Sequence, residues 1–272
     1  MLPVARHDAI VGLVNGAHTV STDELVNRLG VSAETVRRDL ALLEERGALR
    51  RVHGGAASIL RRGSVEEPSF VERTVIRQQA KTQLARVAVA LLEPGQTVAI
   101  DIGTTAVEVA RAIPASFRGT VITPSLLVAV ELAGRRDVDV LVSGGRVRGG
   151  DLACSNAHAR SLFADVYPDV AFIGSGGVDA VAGLTDYHLD EVDVRRTIIA
   201  NSAASYILAD SSKLGRIGPH RVCDLGSVSG LITEECTSPA VEAAVRESGG
   251  VVLSAATDPR TAETPPLGRL DT

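Results

Sequence analysis

Over the first sixty residues the apolar positions recur at helical spacing, and beyond residue 79 helical stretches alternate with short continuous apolar runs. Ile10, Leu13 and Val14 mark a helix over 6–15. Ser21, three positions before Glu24, predicts the capped start of a second helix, Thr22 to Leu29, which Gly30 ends. Val36, Leu40 and Leu43 fall at i, i+4 and i+7 of a third helix, whose free N–H groups Ser32 can cap. That spacing turns Ser32, Ala33, Glu34, Thr35, Arg37 and Arg38 outward. Gly47 can close the helix, and Ala48 to Ala57 reads as two strands bending at Gly54-Gly55. Helix, short helix, Gly-containing turn, Arg-bearing helix and hairpin is the order of a winged helix-turn-helix.

Residues 58–78 carry Arg61, Arg62, Glu66, Glu67, Glu72 and Arg73 with little periodicity, which predicts a linker running into a helix. From there the pattern predicts helices over 79–92, 104–113, 125–134, 156–164, 189–203 and 239–248. Interleaved strands are predicted over 97–101, 120–123, 138–143, 169–174, 205–209, 230–233 and 250–254. Runs such as Val98-Ala99-Ile100 and Val170-Ala171-Phe172-Ile173 lack alternation, as in strands covered on both faces. The expected architecture is an N-terminal winged helix-turn-helix domain (1–57), a linker (58–78) and a mostly parallel α/β domain (79–256). The Pro-containing tail, 257–272, is expected to be disordered.

Composition narrows the function classes. A chain of 272 residues with 45% hydrophobic content can bury a sizeable core. Cys154, Cys223 and Cys236 are widely spaced, which argues against a disulfide framework or a zinc site, and no metal or cofactor is expected. No leader opens the chain and no apolar run approaches the ~20 residues that span a bilayer, so a soluble cytoplasmic protein is expected. The formal net charge of −5 argues against a DNA-compacting protein. Residues 1–57 hold seven Arg against seven Asp or Glu, so DNA affinity must come from local arrangement and from assembly. Lys81 and Lys213 are the only lysines among 28 basic residues.

The candidate chemistry sits in two places. On the third helix, Ser32, Glu34, Thr35, Arg37 and Arg38 suit a major groove, where short polar groups and guanidinium groups reach base edges and phosphates together. Arg50, Arg51 and His53 lie on the wing, and 46–62 contains five arginines and no acid. In the α/β domain ligands bind beyond the carboxyl ends of the strands, and four loops there are polar and Gly-rich. Asp101-Ile102-Gly103-Thr104-Thr105 opens a helix and fits both an ordinary N-cap and an anion site. Ser143 to Arg148, Ser175 to Asp179 and Asp210 to Lys213 are expected to converge with it at one rim. Glu191 and Arg195, four apart, share a helix face, where they form either a surface ion pair or a hydroxyl-and-phosphate clamp.

The series Val31-Ser32, Thr35 to Leu40, Leu43-Glu44, Gly47 and Arg51 to Ala56 resembles the DNA-binding domain of the DeoR family of bacterial transcription regulators. Lys81, Asp101 to Thr105, Gly144-Gly145, Phe172 to Gly177, Asp190 to Arg196 and Asp210 to Lys213 extend the resemblance over nearly the whole chain. It implies a regulator of sugar catabolism, usually a repressor, with an effector domain similar to ribose-5-phosphate isomerase. The implied partners are double-stranded operator DNA, a phosphorylated sugar and further copies of the chain, as a dimer or tetramer. The expected effector residues are Asp101, Gly103, Thr104, Thr105, Ser125, Gly144, Gly145, Arg148, Gly176, Asp179, Glu191, Arg195 and Lys213. Two positions depart from the family pattern: Pro124 replaces an asparagine that could bond a ligand, and Leu152 to Ser155 lacks a customary glycine. The rival reading is a sugar-phosphate isomerase with an accessory DNA-binding domain. It is disfavoured because the isomerase lysine is absent and its acid pair is reduced to Asp179.

Overall fold

Three helices and a small sheet build the first unit, Met1–Val65, in the computed structural model, which describes residues 3–17, 19–45, 48–52, 54–57 and 67–255. The elements are α1 (Pro3–Ala17), β1 (Thr19–Ser21), α2 (Thr22–Leu29), α3 (Ala33–Glu45), β2 (Arg50–Val52) and β3 (Gly55–Ala57). Ser21 Oγ accepts the Glu24 N–H at 3.1 Å and so starts α2 where the sequence places it. Gly30, at φ 65°, ends α2 by donating its N–H to the Val26 carbonyl, in a conformation that costs other residues strain. Ser32 Oγ then accepts the Thr35 N–H at 3.2 Å and opens α3. Ile10, Val14, Leu25, Val36, Leu40, Leu43 and Leu49 close one core behind these turns.

The wing has a third strand. β3 lies between β1 and β2 and is antiparallel to both. Three residues are too few to show a period, so Thr19–Ser21 was invisible to pattern reading. At Gly55 a Cβ would stand 2.2 Å from the Val20 carbonyl oxygen, so the β1–β3 approach depends on glycine.

The second unit, Glu66–Thr272, alternates strands and helices. Its elements are α4 (Phe70–Val75), α5 (Gln78–Val89), β4 (Thr97–Ile100), α6 (Thr104–Ala112), β5 (Gly119–Thr123), α7 (Leu126–Leu132) and β6 (Val138–Val142). They continue with α8 (Ala157–Ala164), β7 (Val170–Ile173), β8 (Gly177–Asp179), β9 (Gly183–Asp186), α9 (Leu189–Asn201) and β10 (Ala204–Leu208). Last come β11 (His220–Cys223), β12 (Gly230–Thr233), α10 (Pro239–Glu247) and β13 (Val251–Ser254). Seven strands form a parallel sheet in the order β13-β12-β10-β7-β4-β5-β6. Two apolar clusters cover its faces. Val98, Ile100 and Phe172 meet Leu84, Val107 and Val128 of α5, α6 and α7 on one side. Ala99, Ala171 and Ile173 meet Phe163, Val192 and Val241 of α8, α9 and α10 on the other.

Two segments differ from the sequence reading. Residues 175–179, expected as a loop, run into β8, which pairs with β9 and through it with β11 in a small antiparallel sheet. The expected linker contains α4, opened by a reciprocal capping box between Ser69 and Glu72. Ser-x-x-Glu was a legible signal for that helix, whereas the β9–β11 pairing joins residues more than thirty positions apart and has no local signature.

Phe172 is fully buried on central strand β7, with its ring 6.4 Å from that of Tyr206. Phe172→Ala is expected to destabilise the second unit by about 3–5 kcal/mol through lost transfer energy and a residual cavity. Urea unfolding followed by circular dichroism checks this; a loss below about 1 kcal/mol would mean the site collapses freely.

Candidate functional site

On α3, Ser32, Glu34, Arg37 and Arg38 are exposed and Thr35 is half-buried, all on the side away from the core. Glu34 lies 3.8 Å from Arg37 Nη1 and 3.5 Å from Arg38 Nε. Exposed pairs of this kind are worth little, so both guanidinium groups can exchange Glu34 for another anion. Arg50 and Arg51 are exposed on β2, and the Arg51 N–H donates to Glu44 Oε1 at 2.8 Å, fastening the wing to α3. His53 lies outside the described residues. Sequence reasoning missed Asp39, which accepts from Arg6 Nε at 2.6 Å and lies 2.9 Å from His7 Nε2. The Arg6 hydrogen bond, reinforced by that of His7, holds the Asp39 carboxyl below the usual carboxylate range despite its desolvation. The signal was available, because Asp39 follows Val36 by three and therefore falls on the inner face.

In the second unit the strand order reverses between β4 and β7: β5 and β6 lie to one side, and β10, β12 and β13 to the other. A crevice opens beyond the carboxyl ends at such a switch point. A cavity of about 240 Å³ lies there, lined by Gly103, Thr104 and Thr105 after β4, Gly174 and Ser175 after β7, and Ser212 and Lys213 after β10. Helix α6 starts at Gly103 (φ 99°) with no side-chain cap, so its first N–H groups lack acceptors within the helix. Lys213 also faces the cavity, and among the described residues no carboxylate stands within ion-pair distance of it. Burial, then Arg216, pushes its ammonium below the usual lysine range. Unsatisfied donors and an unpaired cation on one concave surface attract an anion.

Arg195 anchors the cavity floor. Its side chain is 4% exposed; Nε lies 2.6 Å from Asp101, Nη1 2.5 Å from Asp186 and Nη2 3.4 Å from Glu191. Burial alone would lower its pKa, but Asp101, Asp186 and Glu191 outweigh burial and fix it as a cation. Asp101 Oδ2 also accepts the Gly174 N–H at 2.9 Å, so Asp101 sits behind the wall and ties β4 to the turn after β7. Glu191 is pushed up to about 8, first by burial and then by Asp186 and Asp101, while Arg195 and Arg148 pull the other way. Burial disfavours the charged carboxylate, and the neighbouring Asp186 and Asp101 add to that effect beyond what Arg195 and Arg148 offset.

The other expected residues are spread more widely. Arg148 pairs with Asp151 and Glu191 at a second cavity. Ser125 caps α7 by accepting the Val128 N–H at 3.2 Å, and Asp179 accepts from Val181 and Ala182 in the β8–β9 turn. Gly145 packs against Asn156, and Gly176 against Asp186 and Tyr187. None of Ser125, Gly144, Gly145, Gly176 and Asp179 lines the first cavity. The cavity wall instead includes Glu67, Arg73, Lys81, Asp186 and Arg216, which the sequence reading left out of the site. Arg73 pairs with Glu67 at 2.7 Å and with Asp151 at 3.4 Å. Lys81 Nζ donates to the Ile76 carbonyl at 2.8 Å and also to that of Arg73, capping the end of α4.

Because the Glu191 pKa rises on folding, its contribution to stability is complete below about 4.5 and disappears as pH rises through about 8. Glu191→Gln removes that dependence. The stability difference, wild type minus variant, is therefore expected to fall across this window, as measured by urea unfolding at stepped pH. A difference that rises with pH would mean Glu191 is ionised throughout.

Two family models match the chain: the DeoR-like helix-turn-helix domain over residues 6–62 and the DeoR C-terminal sensor domain over residues 76–235. Among curated relatives, the glycerol-3-phosphate regulon repressor of Haemophilus influenzae is 35% identical over 84% of this chain and 88% of its own. The transcriptional regulator GlpR of Haloferax volcanii is 35% identical over 86% and 91%, and the repressor CsqR of Escherichia coli is 31% identical over 89% and 92%. Ribose 5-phosphate isomerase A of Methanocaldococcus jannaschii superposes with a TM-score of 0.38 at 16% identity, over 50% of this chain and 54% of its own. The reading helix, its wing and the sensor domain accordingly place this chain in the DeoR family of DNA-binding transcription regulators.

Proposed function

We propose that the protein is a repressor whose hold on operator DNA is set by a phosphorylated sugar or polyol in the switch-point cavity. The carrying observation is that the uncapped start of α6 and the unpaired Lys213 line the same cavity. The phosphate takes the Gly103, Thr104 and Thr105 end, where backbone N–H groups and the helix dipole favour an anion. Lys213, with Arg216 beside it, supplies the charge, and Glu191 serves hydroxyls. Arg195 on the cavity floor and Asp101 behind it act as positioning groups. Relatives that are glycerol-3-phosphate regulon repressors support this ligand class. The cavity binds and does not turn over its ligand, and the protein works in the cytoplasm.

On DNA, Glu34, Thr35 and Arg37 or Arg38 approach base edges from α3, Ser32 orients the first turn, and Arg50, Arg51 and His53 hold phosphates. A single neutral reading domain covers too little DNA, so two or more copies act together on half-sites about 10 to 10.5 base pairs apart, or a multiple of that. The effector changes DNA affinity only by the factor with which it prefers one state of the protein.

Thr105→Asp places a carboxylate where phosphate should sit while suiting the helix start. The variant is expected to bind operator normally and ignore the effector. Calorimetric titration with glycerol 3-phosphate, ribose 5-phosphate and fructose 6-phosphate checks it, and unchanged affinities would remove the phosphate from this end of α6. For the DNA surface, Arg51→Ala is expected to weaken all sequences alike and reduce the salt slope by roughly one unit, whereas Thr35→Ala costs ~1 to 3 kcal/mol at one base position. Fluorescence anisotropy on operator and scrambled DNA at several salt concentrations separates them. Equal, sequence-blind losses for both variants contradict the assignment.

A further inference from the structure

A second cavity, of about 260 Å³, shares the Glu191 side chain with the first and is bordered by Arg146, Arg148, Ser155 and His188. A row of paired side chains links the two. Glu191 touches Arg148, Arg148 pairs with Asp151, and Asp151 pairs with Arg73, which lines the first cavity. We propose that the two cavities form one elongated ligand site, with the phosphate in the first and the hydroxyl-bearing end of a five- or six-carbon chain in the second.

Size is one support. Alone, each cavity falls short of the ~300–1,000 Å³ of small-molecule sites, while together they offer about 500 Å³. A three-carbon phosphate needs only the first. The second support is Glu191, 4% exposed, which lines both cavities and meets Arg148 of the second and Arg195 of the first with its two carboxyl oxygens. A ligand hydroxyl crossing between the cavities meets this carboxyl at their junction, where it competes with Arg148 for Oε1. Third, the lining mixes signs. Arg146, which has no carboxylate partner among the described residues, offers donors, while Asp190 and Glu191 offer acceptors; His188 is held at Nε2 by Glu67, 3.2 Å away. Hydroxyl groups satisfy both kinds at once. Asp190 disfavours a second phosphate at the distal end, whereas a polyol or carbonyl can pair with every one of these groups.

This inference rests on the phosphate reading of the first cavity, and titration calorimetry on the full chain tests the two apart. The probes are inorganic phosphate, glycerol 3-phosphate, ribose 5-phosphate, fructose 6-phosphate and fructose 1,6-bisphosphate. A six-carbon monophosphate is expected to bind at least ~10-fold tighter than glycerol 3-phosphate, because the second cavity's polar groups stay unpaired with the shorter ligand. Ser155→Phe, which fills the second cavity, should abolish that difference and leave glycerol 3-phosphate affinity within about twofold of wild type. Arg146→Ala, at an exposed rim position that folding does not need, should weaken only the longer ligands and guards against a misfolded Ser155 variant. Equal affinity for three- and six-carbon probes in the wild type overturns the extended site and leaves the phosphate reading standing. A marked preference for the bisphosphate overturns the polyol assignment, and failure of every phosphorylated probe to bind overturns both readings.

Discussion

The buried Arg195 guanidinium is the tie on which the sensor unit depends. It reaches Asp101 at the end of β4, Asp186 at the end of β9 and Glu191 on its own helix α9. One side chain thus joins the parallel sheet, the small antiparallel sheet and the helix between them. A buried guanidinium is tolerated only when its donors meet carboxylates, and a buried carboxylate only when its charge is met or neutralised by a proton. Burial together with Asp186 and Asp101 outweighs the cations at Glu191, which holds its proton to higher pH.

That tie sits where the chain order of the sheet reverses, so a structural necessity and the switch-point cavity share one place. Strands β4 and β7 end side by side, and their following turns have no strand between them to fill the gap. Gly103 opens α6 without a capping side chain, and Gly174 passes Asp101 so closely that a Cβ there would stand 3.2 Å from its carboxylate. Glycine at these two positions lets the backbone itself form the surface of the crevice. The small sheet closes one side: a Cβ at Gly177 would stand 2.3 Å from the Arg216 carbonyl, so β8 packs directly on the segment that carries Lys213 and Arg216.

Helix α4 shows how the wall nearest the reading domain in sequence is held. Lys81 caps its last carbonyls, Arg73 pairs with Glu67 and Asp151, and Arg77, at φ 55°, turns the chain into α5 while pairing with Glu234 at 2.5 Å. Every one of these contacts is charged. A bound anion would compete for the same cations, which gives the sensor domain a physical route to respond to its ligand.

The order of elements was readable in the chain because it rests on local signals. Helical spacing at Val36, Leu40 and Leu43, Ser21 before Glu24, Gly30 after Leu29 and the unbroken run Val170 to Ile173 each reflect a few neighbouring residues choosing one backbone geometry. Family motifs likewise identified the turn at Gly103 to Thr105 and the two lysines. What the chain could not show is which loops meet. Strand order decided that the loops holding 102–105, 174–175 and 210–213 share a cavity, while Ser125 and Asp179 cap local turns. Long-range pairing made β1, β9 and β11 strands, although each has only three or four residues. Burial turned Asp101 and Arg195 inward on each other and raised the Glu191 pKa. These outcomes depend on contacts between residues far apart in sequence, and the charge and exposure of a side chain are properties of that assembled environment, not of its neighbours along the chain.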